Sequence, residues 1–230
     1  MKVKQKYTPM MMQYLEIKEQ YPDTIVMFRL GDFYEMFFDD AKMVSRELEL
    51  TLTGRDAGAK ERVPMCGVPH HAVKAYIQRL IDNGHKVAIV EQLEDPSQAE
   101  GIVKRGVIQI ITPGTVMDQT DLANNFIAAM EMFDFHYSLA FCDLTTGEFI
   151  VETLEKDQTS LENELLGMHI KELVTPSTIP LEEYEKIKND HNIMISLYDD
   201  DKAETSHSAL LKEIKDFKQM KVSSLLLNYL

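Results

Sequence analysis

A nearly unbroken apolar run, Thr24-Ile25-Val26-Met27-Phe28-Arg29-Leu30, sets the first limit on the fold. It is too short for an ordinary buried helix and suits a buried strand. Helical signals surround it. Thr8-Pro9 supplies an N-cap and a first-turn proline for a helix over residues 9–19, which Tyr21-Pro22-Asp23 ends. Asp39 or Asp40 can cap a second helix with Ala41, Val44 and Leu48 on one side. Residues 50–53 read as a strand, 54–62 as a polar loop and 63–71 (VPMCGVPHH) as a turn-rich segment. Then Val73, Tyr76, Ile77, Leu80 and Ile81 fall at offsets 0, 3, 4, 7 and 8, an amphipathic helical stripe closed by Asn83-Gly84. Strands are expected over 86–90 and 107–111, the latter ending at Thr112-Pro113-Gly114. This alternation predicts a mixed-sheet α/β domain.

The second half carries its own pattern. Residues 116–124 read as a polar linker. Residues 125–131, 137–144 and 148–153 read as three strands, the last two joined by a tight turn at Thr145-Thr146-Gly147. Helices are expected over 155–168, 181–188, 208–217 and 222–230, and short strands over 172–174 and 193–197. Three strands followed by alternating helix and strand predict a second α/β layer domain.

Charge separates the halves. Residues 1–115 hold 15 Lys and Arg against 16 Asp and Glu, whereas residues 116–230 hold 9 against 22. The net charge of −14 therefore sits almost wholly in the second half. Only the first half can approach nucleic-acid phosphates without strong repulsion. No apolar run approaches the roughly 20 residues of a membrane helix, and the basic N-terminus has no apolar segment of a secretory signal behind it. Two distant cysteines, Cys66 and Cys142, give no disulfide framework and fit a reducing compartment.

The stretch LGDFYEMFF, residues 30–38, packs four aromatics and two acids into nine residues. If it is extended, Phe33 and Glu35 share one face and Tyr34 and Met36 the other. An aromatic ring beside a carboxyl makes a poor core and a good probe. The ring can stack on something flat, and the carboxyl can make one hydrogen bond beside it. A carboxylate only accepts hydrogen bonds, whereas its protonated form can donate to a base acceptor such as a purine N7. Arg55, Lys60, Arg62, Lys104 and Arg105 are the basic residues best suited to phosphate contacts, which position a protein without specifying sequence. Gly31, Gly67 and Pro69 are expected to shape loops.

GDFYE at 31–35, PMCGVPHHAV at 64–73 and TPGT at 112–115, in this order and spacing, resemble the N-terminal part of the MutS family of DNA mismatch recognition proteins. The likeness is close over residues 1–115 and looser over 125–230. It implies a mismatch-recognition domain over 1–115, a linker over 116–124 and an RNase H-like α/β connector domain over 125–230. It also implies that Phe33 wedges from the minor groove against a mispaired or unpaired base while Glu35 hydrogen-bonds the base. Family members pair as homodimers, meet MutL through the connector and work in the cytoplasm, on the nucleoid when bound to DNA. They carry a clamp and an ATPase that uses ATP and magnesium. The 230 residues contain no G-x-x-x-x-G-K-[ST] phosphate loop. The resemblance therefore leads to the expectation of a non-enzymatic piece of a longer protein, with no cofactor of its own.

Two other classes compete. Asp143, with Gly147 and Glu148 beyond it, invites a magnesium-dependent nuclease on the second half, but no convincing acidic partner set accompanies it. A purely protein-binding module is the other. Cys66, His70 and His71 offer three metal ligands with no fourth Cys or His nearby, short of a closed structural zinc site. The Asp199-Asp200-Asp201 run reads as a solvated loop.

Overall fold

The computed structural model describes residues 7–94, 101–116, 125–199 and 211–230. Residues 117–124 of the linker expected over 116–124, Asp200 and Asp201, and residues 208–210 of an expected helix lie outside the described residues. The chain divides into two units, Met1–Thr112 and Pro113–Leu230.

The first unit runs α1 (Pro9–Gln20), β1 (Thr24–Leu30), β2 (Phe33–Phe37), α2 (Phe38–Glu47), β3 (Thr53–Arg55), β4 (Val63–Pro69), α3 (Val73–Asp82), β5 (Lys86–Gln92) and β6 (Arg105–Ile111). One mixed sheet has the order β3-β4-β2-β1-β5-β6, in which β1 is antiparallel to β2 and parallel to β5. The apolar run of β1 is continuous because both of its faces are covered. Val26 and Phe28 pack with Met11, Tyr14 and Ile17 of α1, and Ile25 and Met27 on the other face are buried as well. On that second face Cys66 Sγ donates to the Ala41 carbonyl of α2 at 3.5 Å.

Three expectations need correction. Neither Asp39 nor Asp40 caps α2, whose N-cap position is Phe37. Asp40 is turned inward instead: its carboxylate accepts from the Val26 amide at 3.1 Å, the Tyr14 hydroxyl at 3.3 Å and the Lys18 ammonium at 2.9 Å. The segment 63–71 is no cluster of turns. Val63–Pro69 is strand β4, followed by a 3-10 turn over His70–Ala72. Gly67 lies opposite Glu35 where a side chain would crowd the neighbouring strand, and Pro69 ends the strand, where its missing amide matters least. The strand expected over 50–53 falls later, at Thr53–Arg55. Thr8 does stand at the N-cap position of α1, but its side chain makes no cap hydrogen bond; its amide donates to the Ala57 carbonyl at 2.8 Å.

The second unit runs β7 (Phe126–Met132), β8 (His136–Asp143), β9 (Glu148–Glu155), α4 (Gln158–Gly167), β10 (Glu172–Thr175), α5 (Glu185–His191), β11 (Met194–Leu197) and α6 (Phe217–Tyr229). The order β11-β10-β7-β8-β9, with β7, β8 and β9 an antiparallel meander and β10 and β11 parallel to β7, is the RNase H-like arrangement. Leu161 and Leu165 of α4 and Ile187 of α5 cover one face of the sheet, and Val222, Leu225 and Leu226 of α6 the other. Residues 155–157 do not start a helix as expected. Glu155 completes β9, and Asp157 caps α4 by accepting from the Ser160 amide at 2.8 Å. Residues 212–216 are turn and coil rather than helix, and Asp216 caps α6 through the Lys218 and Gln219 amides.

Two buried acids organise this unit. Glu172 accepts from Ser196, from the Tyr229 hydroxyl at 2.6 Å and from the Gly114 amide at 3.1 Å. A Cβ at Gly114 would stand 2.9 Å from that carboxylate, so only glycine fits there. Asp143 accepts from the Thr145 amide at 2.8 Å and the Thr145 hydroxyl at 2.6 Å, closing the β8–β9 turn.

Replacing Asp40 by alanine should destabilise the first unit by about 3 kcal/mol, because a backbone amide, a hydroxyl and an ammonium lose their shared acceptor; urea unfolding with an unchanged m-value checks this. Burial acts to raise the Asp143 carboxyl, but the Thr145 and Thr146 donors outweigh it and hold it below the usual carboxylate range. Its folded value being depressed, Asp143 should contribute stability above about pH 3.9 that is lost as pH falls through the folded value. Acid unfolding followed by circular dichroism should therefore be shallower in Asp143→Asn.

Candidate nucleic-acid interface

β1 and β2 are joined by the two residues Gly31 and Asp32, with Leu30 paired to Phe33. Gly31 has φ +58°, a left-handed conformation that suits glycine in so short a connection. The turn is held from two sides. The His70 amide donates to the Asp32 carbonyl at 2.9 Å, and Arg29 Nε donates to the Gly31 carbonyl.

Exposure along β2 follows the two-residue period of a strand. Phe37 is fully buried, Glu35 is half-buried and Phe33 is 47% exposed, all on the face that packs against α1 further along. That packing runs out toward the turn, leaving the Phe33 ring uncovered. Tyr34 and Met36 point the other way and are buried. The Tyr34 hydroxyl donates to Glu91, and Arg29 both pairs with Glu91 and lies over the Tyr34 ring. Burial, followed by the Glu91 carboxylate, pushes the Tyr34 phenol up to about 12. The exposed Phe33 thus sits on a strand whose reverse side is anchored.

Glu35 forms an ion pair with Arg55 of β3. Arg55 stands opposite Val63 and Glu35 opposite Gly67, so the pair reaches diagonally across β4. A Cβ on Gly67 would meet the Tyr34 carbonyl at 3.2 Å and Glu35 Cγ at 3.4 Å, crowding the carboxyl's stem. Gly67 and Pro69 therefore act within a strand rather than in a loop, whereas Gly31 does shape a turn.

The remaining basic residues differ in how free they are. Lys60, Arg62 and Lys104 are exposed. Arg105 is half-buried over the Phe28 ring and donates to the Arg29 carbonyl at 2.8 Å and the Val103 carbonyl at 3.0 Å. Burial, and then the nearby Arg55 charge, push its guanidinium downward. Arg105 thus has donors committed to the fold.

Among the described residues no group of three or more His, Cys, Asp or Glu could hold a metal ion. Burial pushes the Cys66 thiol up to about 11. Asp143 Oδ1 serves the Thr145-Thr146 turn and its Oδ2 is buried without a hydrogen-bond partner, but among the described residues no set of acids gathers around it to complete a magnesium site. Among the described residues no helix is long and apolar enough to cross a membrane. The Glu35–Arg55 pair and the Tyr34–Glu91 support escaped the sequence reading, since only strand pairing joins residues that far apart in the chain.

A family model for MutS domain I matches residues 8–120, and one for MutS domain II matches residues 125–229. The DNA mismatch repair protein MutS of Geobacillus sp. (strain WCH70) is 46% identical over 228 residues, which is 97% of this chain and 26% of that protein. The MutS of Brevibacillus brevis is 55% identical over 171 residues, 73% of this chain and 20% of the relative. That of Lysinibacillus sphaericus is 53% identical over 179 residues, 76% and 21% respectively. The chain thus spans about a quarter of the length of the curated relatives it matches.

Gly67→Ala should leave the fold intact but cost about 1 kcal/mol of stability, since the new methyl presses on backbone as well as on Glu35; chemical unfolding of the two proteins side by side measures it.

Proposed function

Because the chain belongs to the MutS family and carries its domains I and II, we propose that the open end of the first sheet reads mispaired or unpaired bases in duplex DNA. The observation that carries this reading is the Phe33 ring, 47% exposed at a pinned two-residue turn and on the same face as Glu35.

The physics divides the labour between the two residues. A wedge inserted from the minor groove must unstack a base step, at a few kcal/mol. A mismatched or unpaired step is already poorly stacked and bends easily, so the cost is smaller there. Stacking of the ring on a base returns roughly 1–3 kcal/mol. A ring has no hydrogen-bond code and so serves many mismatches, while Glu35 adds one polar contact to a base. Arg55, Lys60, Arg62 and Lys104 would hold the backbone. Arg105 is the weakest member of that set, because its donors are engaged by carbonyls.

The acidic second unit is assigned a protein-facing role as the connector, docking MutL, within a homodimer that works in the cytoplasm and on the nucleoid. No cofactor is assigned to this chain. ATP and magnesium would serve the ATPase of the longer relatives.

Fluorescence anisotropy at low salt tests the reading, with a G·T or single-unpaired-T duplex against its homoduplex. Wild type should prefer the defective duplex. Phe33→Ala should abolish the preference, and Arg55→Ala should weaken both duplexes. Equal loss on both duplexes in Phe33→Ala would count against the wedge.

A further inference from the structure

We propose that Arg55 exchanges partners on binding: paired with Glu35 in the free protein, it passes to a DNA phosphate and leaves the Glu35 carboxyl to meet the base step without its counter-ion. The inference rests on the DNA-reading role of the first unit.

The geometry provides for release. The Arg55 side chain is 34% exposed and that of Glu35 15%, so the pair sits at the rim of the sheet with solvent access. Partly exposed pairs of this kind contribute little to stability, which leaves the guanidinium free to change partners. A guanidinium matches a phosphate at least as well as a carboxylate, through two parallel donors. Arg105 shows the opposite design: its donors go to backbone carbonyls and its plane lies over Phe28.

The exchange yields discrimination because its two halves are satisfied separately. Any duplex offers Arg55 a phosphate. Only a step that admits the Phe33 ring brings a base edge to Glu35, two residues along the same strand face. On a matched duplex the carboxylate is left facing DNA without its counter-ion, and burying an unpaired charge is unfavourable. Arg55 therefore both attracts DNA and exposes Glu35 as a penalty on the wrong DNA.

The test is a cycle of wild type, Arg55→Gln, Glu35→Gln and the double variant, titrated by anisotropy with an unpaired-T duplex and its homoduplex over a salt series. The exchange predicts that Arg55→Gln reduces the steepness of log K against log salt by about 0.9, one phosphate contact, and that Arg55→Lys restores it. It also predicts that Glu35→Gln strengthens homoduplex binding several-fold when Arg55 is present, and by less in the Arg55→Gln background. A pair that stays closed on DNA predicts the reverse, since removing Arg55 would bare the carboxylate and make its deletion more helpful. An unchanged salt slope, or a larger gain in the Arg55→Gln background, overturns the exchange while leaving the DNA-reading role intact. Absence of binding to either duplex by the folded wild-type chain overturns both together.

Discussion

The buried carboxylate of Asp40 is the point on which the first unit turns. It accepts from the amide of the central strand, from a tyrosine hydroxyl and from a lysine ammonium on α1, while itself belonging to α2. Lys18 extends the link by donating to the Thr24 carbonyl at 2.7 Å, where β1 begins. One charged group thus ties the helix over one sheet face, the central strand and the helix after β2. It lies close after β2 in the chain, so the exit of the strand that carries Phe33 and Glu35 is held rigidly. Phe38, with φ +54°, takes up a conformation rare for a bulky residue at this exit, between the strand and Asp40. Its ring is kept there by Tyr7 and Tyr14.

From that fixed end, β2 runs from a packed core to the open end of the sheet within five residues. The same alternation that buries Phe37 against α1 exposes Phe33, and the alternate residues anchor the strand from behind. The exposed Phe33 ring is therefore a continuation of core packing past the point where its cover ends. Its polar neighbour is handled by the strands beside it, with a glycine opposite Glu35 and an arginine reaching across from β3.

Much of this was legible in the sequence, and the failures have physical causes. The alternation of Phe33 and Glu35 against Tyr34 and Met36 follows from the strand period alone, and the stripe from Val73 to Ile81 follows from the helical one. Asn83-Gly84 ends α3 as expected, with Gly84 at φ +81°. The prolines and glycine of Val63–Pro69 read locally as turns, but pairing to β2 and β3 on both sides overrides local propensity. Asp40 read as a cap because acids near a helix start usually are. Its inward orientation depends on an amide in β1 and a lysine in α1 that no local pattern brings together. The Glu35–Arg55 pair was hidden for the same reason: both residues were singled out, but their proximity exists only once β4 lies between them.

The two-residue connection of β1 to β2 has a consequence for how such a site can vary. Side chains in a strand alternate with period two, so one residue inserted between Leu30 and Phe33 would transpose the faces of β2 unless a bulge absorbed it. Tyr34 and Met36 would then be presented outward, and Phe33 and Glu35 driven into the space beneath α2. The chemistry offered at the sheet's open end is written as much in the length of the Gly31-Asp32 turn as in the residues that follow it. The His70 amide on the Asp32 carbonyl acts as a ratchet pawl, holding the register one notch from an inert surface.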